Sequence, residues 1–211
     1  MSGAGLDIDD LAYVIYEADN IAAGADRREA EGDLNDRGAK FDSDLCLENI
    51  FNVFSGDAEP SYFSLRELDA MKKENFPHGN KSIATQGQYA SIMRYMEKNF
   101  RMKSPISMEE NELLRILEDT LIYVPSSTNT EEHADISLYD HMKMTGATAA
   151  VLMKYMKTLG ITDYKGFCFT HNKENRNKGV FLMISGDFSG IQKFIYHLSL
   201  IHISEPTRQE A

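Results

Sequence analysis

Two side chains interrupt otherwise apolar helical patterns, and both are chemically capable. Ala12, Ile15, Asp19 and Ala22 recur at spacings of three and four, which puts a carboxylate in line with a hydrophobic stripe. Leu138, His141, Thr145, Ala149, Leu152 and Met156 recur the same way, which puts an imidazole in line with a second stripe. A carboxylate turned into a core needs a partner, because an unpaired buried charge costs several kcal/mol. An ion pair from Asp19 to Arg27 or Arg28 would supply one. A divalent metal would supply another, since imidazole with carboxylate is a common donor pairing. His141 is equally open to two readings: a hydrogen-bonded core histidine, or a metal ligand. Two donors do not complete a hydrolytic centre, which usually takes three or more from the protein.

A third candidate lies in "SGDFSGIQKF". Here an apolar run enters Ser185, Gly186 and Asp187, and a helix is expected to open near Ser189. Backbone N–H groups at a helix start attract phosphate, and glycines allow close approach. Asp187 could hold Mg²⁺ against that phosphate. A tight turn with Asp187 or Ser189 as N-cap explains the same residues. Neither the P-loop nor the dinucleotide fingerprint is present.

The elements that would position these groups are mostly helical. "LAYVIYEADNIAAG" predicts a helix ending at Gly24, and the polar run after it, through Asp44, reads as a connection. "LCLENIFNVFSG" predicts a short helix, and "YFSLRELDAMKKENFPHGN" is ambiguous. A helix is predicted over Ile83 to Met102. Another is predicted from Ser107, with a capping box to Glu110 and an apolar face of Leu113, Leu114, Leu117 and Leu121. A long helix then runs from about residue 135 to Thr158. Beyond Gly160, "GFCFT" and "VFLMIS" read as strands.

Composition bounds the class. The chain has 211 residues, 42% hydrophobic and 26% charged, with net charge −11, which disfavours nucleic-acid binding by global attraction. The acidity is concentrated before Asp163. Cys46 and Cys168 stand far apart, outside any zinc or disulfide spacing, which fits a reducing compartment. The acidic start is no secretory or transit signal, and no apolar run approaches the ~18 residues of a membrane span. These features predict a cytoplasmic protein with no membrane partner.

The segments "YEADNIAAGADRRE", "LIYVPSSTN", "ADISLYDHMKMTGATAA" and "FLMISGDFSGIQKFIY" together resemble the large subunit of type III CRISPR effector complexes, subtype III-A. The resemblance spans Leu11 to Tyr196. It implies a mainly α fold: a helical bundle, part of a circularly permuted HD-type domain, over 1–160. The first strands and helix of an α/β ferredoxin-like palm domain come next, over 161–197. It implies two activities for the complete subunit. The HD domain would cleave single-stranded DNA with a divalent metal ion. The palm pair, binding ATP and Mg²⁺, would make cyclic oligoadenylates on recognition of target RNA, in antiviral defence. Its partners would be the other subunits of the complex, CRISPR RNA and target RNA.

Under that resemblance Asp19 matches the last metal-ligand aspartate, and His141 matches the histidine that comes first in ordinary HD proteins. Gly186, Asp187, Ser189 and Gly190 fall at the nucleotide edge of the first palm. The sequence departs from the family in lacking a His-Asp or His-His dipeptide, a GGDD motif, a cysteine cluster and a second palm. Residues 198–211 include "LSLIHISEPTR", which matches an in-frame translation of a transposase sequencing adapter. The expectation is therefore a segment truncated at both ends and inactive by itself. Two other readings stay open. One is an autonomous small HD-like metal hydrolase with further ligands such as Glu17 or Asp140. The other is a non-catalytic helical interaction module.

Overall fold

The structure, a computed structural model, describes residues 5–26, 40–54, 59–69, 75–79, 83–180, 182 and 184. The chain divides into two compact units, Met1–Val180 and Phe181–Ala211, and every helix among the described residues belongs to the first. The described segment after Gly160 packs with the helices before it, through Ile161, Tyr164, Phe167, Cys168 and Phe169.

Helix α1, Leu11–Asp26, begins where the Asp10 carboxylate accepts from the Ala12 amide at 2.8 Å. It continues two residues past Gly24. Its buried stripe is Tyr13, Val14, Glu17, Ala18 and Ala22, whereas Ile15 is 55% exposed. Of the face predicted from Ala12, Ile15, Asp19 and Ala22, only Ala22 is buried, and Ile15 and Asp19 turn away from the core. The aromatic Tyr13, which packs against Phe169 with ring centroids 5.8 Å apart, offers more area to bury than Ile15 does.

The long helix, here α4, spans Leu138–Thr158 and packs against α1. The hydroxyl of Ser137 caps it, accepting from the Asp140 amide at 3.0 Å. Its C-terminus closes on Gly160, at φ +67°, with Gly160 N–H to the Lys157 carbonyl and Ile161 N–H to the Met156 carbonyl. That pair of bonds is a Schellman motif, which needs the left-handed residue that glycine supplies. Leu152 and Met156 from α4, placed inward by their spacing, join Tyr13, Val14 and Ala18 from α1 in one core.

Cys168 completes this core. "GFCFT", predicted as a strand, is instead a wide helical turn over Gly166–Thr170, with the His171 amide bonded to the Gly166 carbonyl five residues back. Phe167, Cys168 and Phe169 all face the α1–α4 pair. Three consecutive apolar residues do not distinguish a strand from a buried turn by period. A short helix α5, Asn172–Asn175, comes next.

A second core gathers Leu65, Ile92, Leu121, Val124 and Tyr139, with Leu114 and Leu117 packed against it. It is built on α2, Gln86–Met102, and α3, Glu110–Leu121. The capping box lies at Thr85 and Gln88 of α2. The one expected at Ser107 and Glu110 is absent, because Ser107 closes a 3₁₀ turn begun by Pro105 and gives its hydroxyl to the Ser104 carbonyl. Among the described residues of the short helix expected after Asp44, Ile50–Phe54 are helical, as a 3₁₀ turn. Isolated antiparallel bridges join Glu48 to Tyr62, Tyr62 to His78 and Pro125 to Ser137. No helix among the described residues is long and apolar enough to cross a membrane.

Candidate functional site

Asp19 and Asp26 are seven residues apart on α1, two turns along one side, and His141 lies at the start of α4. The ring of His141 is held between them. Its Nε2 is 2.9 Å from Asp19 Oδ1, and its Nδ1 is 2.7 Å from Asp26 Oδ2. When both contacts are hydrogen bonds the ring is an imidazolium, since both nitrogens then donate. Burial lowers the affinity of His141 for its proton, but the hydrogen bonds and charges of Asp26 and Asp19 together outweigh it, and its pKa lies above the ordinary value.

Exposure distinguishes the two carboxylates. The His141 and Asp26 side chains are 14% and 19% exposed, and that of Asp19 is 57% exposed. The three groups line a cavity of about 410 Å³. Its other wall comes from the loop 126–135, through Ser126, Ser127, Glu132 and His133. Backbone bonds fix this loop: Ser126 N–H to Ile136, Asp42 N–H to Thr128, and Glu48 N–H to Ala134. A second carboxylate–imidazole contact, His133 Nδ1 to Glu48 Oε2 at 3.0 Å, stands on that wall.

The structure thus brings together Asp19 and His141, the two residues singled out by spacing. It does so for a different reason than the sequence suggests, because Asp19 is not the buried carboxylate. Glu17 is, and it pairs with Arg176. Arg27 and Arg28, the expected partners of Asp19, lie outside the described residues, as do Gly186, Asp187, Ser189 and Gly190. Of the further ligands considered, Glu17 is engaged by Arg176, and Asp140 accepts from the Ser137 hydroxyl at 2.7 Å.

Asp26 is the member of the cluster that spacing did not single out. Asp19, Ala23 and Asp26 follow the i, i+4, i+7 spacing of one helix side, a signal the sequence does carry. Ending the helix at Gly24 hides it. Among the described residues, no group of three or more His, Cys, Asp or Glu side chains is arranged to hold a metal ion. Asp26 does not add a third donor beside Asp19, because it meets the opposite nitrogen of the ring.

Sequence comparison finds the chain similar to proteins named as CRISPR deoxyribonucleases. It is 34% identical over 197 residues to the CRISPR system single-strand-specific deoxyribonuclease Cas10/Csm1 (subtype III-A) of Enterococcus italicus, covering 90% of this chain and 26% of that protein. The protein of the same name from Streptococcus thermophilus is 36% identical over 193 residues, with the same two coverages. That of Mycobacterium tuberculosis is 35% identical over 190 residues, covering 88% of this chain and 22% of the relative. No family model matches the chain. These matches make the chain a homologue of the Cas10/Csm1 family of subtype III-A. It spans about a quarter of the length of these relatives.

Proposed function

We propose that this chain supplies part of the metal-binding wall of a single-strand-specific deoxyribonuclease in a type III-A CRISPR complex. The observation that supports it is the clasp of His141 by Asp19 at the edge of a cavity. Asp19 Oδ1 and His141 Nε2 face one another across 2.9 Å, so loss of the shared proton leaves two donors turned to one place. These two residues would hold a divalent ion, and the ion would polarise a phosphodiester or activate water. The remaining donors would be water or side chains other than those described.

Before an ion binds, the imidazolium of His141 and the carboxylate of Asp19 hold the two helices in register. The opposite wall carries Ser126 and Ser127 beside Glu132, and the Ser127 hydroxyl donates to the Glu132 carboxylate at 3.1 Å. On the same reading, single-stranded DNA is the substrate, and the other subunits, CRISPR RNA and target RNA are the partners, in the cytoplasm. Synthesis of cyclic oligoadenylates from ATP with Mg²⁺ would belong to palm sequence. Its candidates here, Gly186, Asp187, Ser189 and Gly190, rest on the sequence resemblance alone.

Calorimetric titration with Mn²⁺ tests the donor assignment. Binding by the wild-type chain that weakens in both Asp19→Ala and His141→Ala supports it. Binding that both substitutions leave unchanged overturns it.

A further inference from the structure

We infer that Asp26 is the positioning residue of this site: it holds the proton of His141 on Nδ1 and thereby turns Nε2 toward Asp19 and the cavity. This rests on the reading of Asp19 and His141 as the metal donors, and it gives the third member of the cluster a separate role.

The geometry separates the two carboxylates. Asp26 makes the shorter contact, 2.7 Å against 2.9 Å, and sits on the more enclosed side of the ring. Asp19 is open to solvent, where an incoming ion and its waters need access. The nitrogens of an imidazole point away from each other, so a carboxylate bonded to Nδ1 is out of reach of an ion on Nε2. A metal-bound histidine commonly gives its other N–H to a carboxylate, which fixes both tautomer and orientation.

The position of Asp26 also needs a physical reason. It is the last residue of α1, where the carbonyl end of the helix disfavours an anion, and no basic residue stands in that last turn. His141 lies at the amide end of α4, where a cation is disfavoured. Neither residue serves its own helix in this state. Each is compensated by the other, across 115 positions of sequence.

Two measurements on the full chain test the assignment. The first is long-range ¹H–¹⁵N correlation of the metal-free protein, at a pH where the ring is neutral, with the His141 signals identified by their loss in His141→Gln. The wild type is expected to carry its proton on Nδ1, and Asp26→Ala to move it to Nε2, where Asp19 still accepts. The second is Mn²⁺ titration, in which Asp26→Ala is expected to bind about 10- to 100-fold more weakly. Asp26→Glu, which restores a carboxylate, is expected to recover part of that loss. Asp26→Asn is expected to lie between wild type and alanine, and it carries the test should the alanine variant fail to fold. An unchanged tautomer with unchanged Mn²⁺ affinity in the Asp26 variants, while Asp19→Ala binds weakly, overturns the positioning role alone. Unchanged affinity in Asp19→Ala and His141→Ala removes the donor reading, and the positioning role with it.

Discussion

Glu17 and Arg176 meet in a two-point ion pair across 159 positions of sequence. Arg176 Nε donates to Oε1 at 2.6 Å and Nη2 to Oε2 at 2.8 Å, and Asn172 adds a longer contact at 3.4 Å. The Glu17 side chain is 5% exposed and that of Arg176 43%. The hydrogen bond to Glu17 is the main reason that the guanidinium of Arg176 holds its proton more tightly than usual. The pair ties the inner side of α1 to the residues just after α5.

Removing the arginine leaves a buried carboxylate with only the longer contact from Asn172. Breaking a fully buried pair costs ~3–5 kcal/mol, and the partial solvation of Arg176 brings the expected loss for Arg176→Ala to about 2 kcal/mol. Arg176→Lys should recover only part, since an ammonium does not reproduce the planar two-point contact. Urea denaturation reads both. An unchanged midpoint in the alanine variant would show that Glu17 finds water or another partner.

This pair also shows where the sequence could and could not be read. A buried carboxylate on the first helix was legible, but not which one. Ile15 and Val14 are equally apolar on paper, and only contact with Phe169 and Met156 turns Tyr13 and Val14 inward and leaves Asp19 on the open side. The stripe of α4 could be read because its spacing holds over five turns, so His141 is where its period puts it. The π-type turn at Gly166–Thr170 was not legible, because three adjacent apolar residues carry no period. Asp26 lies beyond the helix end that Gly24 predicts, because α1 runs on through this exposed glycine to Asp26.

The donor count leads to a functional expectation. Asp19 and His141 are the two candidate donors that the described residues bring together. The 211-residue chain alone is therefore expected to leave single-stranded DNA intact in the presence of Mn²⁺. A labelled oligonucleotide on a denaturing gel checks this. Cleavage that disappears in Asp19→Ala would show that the chain completes the centre by itself.

Cys168 offers a pH-dependent test of the packing around α1. Burial, with the negative charge of Glu17 as a smaller cause, raises its thiol from 9.0 to about 11. The folded thiol is neutral where an unfolded one ionises, so its contribution to stability is complete below about pH 9 and is lost as the pH rises toward 11. Iodoacetamide at mildly alkaline pH should leave Cys168 unmodified in the folded chain and label it in urea. Rapid labelling without denaturant would mean that the 166–170 turn opens readily.

Tyr13 is fully buried, and its hydroxyl has no hydrogen-bond partner among the described residues. Its ring packs against Phe169, and the Lys165 ammonium stands 6.0 Å from the ring centre. Both contacts need the ring and neither needs the oxygen. An unsatisfied buried hydroxyl costs about 1–3 kcal/mol, so Tyr13→Phe is expected to stabilise the unit by roughly 1 kcal/mol. Tyr13→Ala, which empties the same site, should cost about 3–5 kcal/mol. The two variants separate the oxygen from the ring in one set of urea titrations. A phenylalanine variant less stable than wild type would show that the hydroxyl has a partner, and that this partner, rather than ring area alone, sets which side of α1 faces the core.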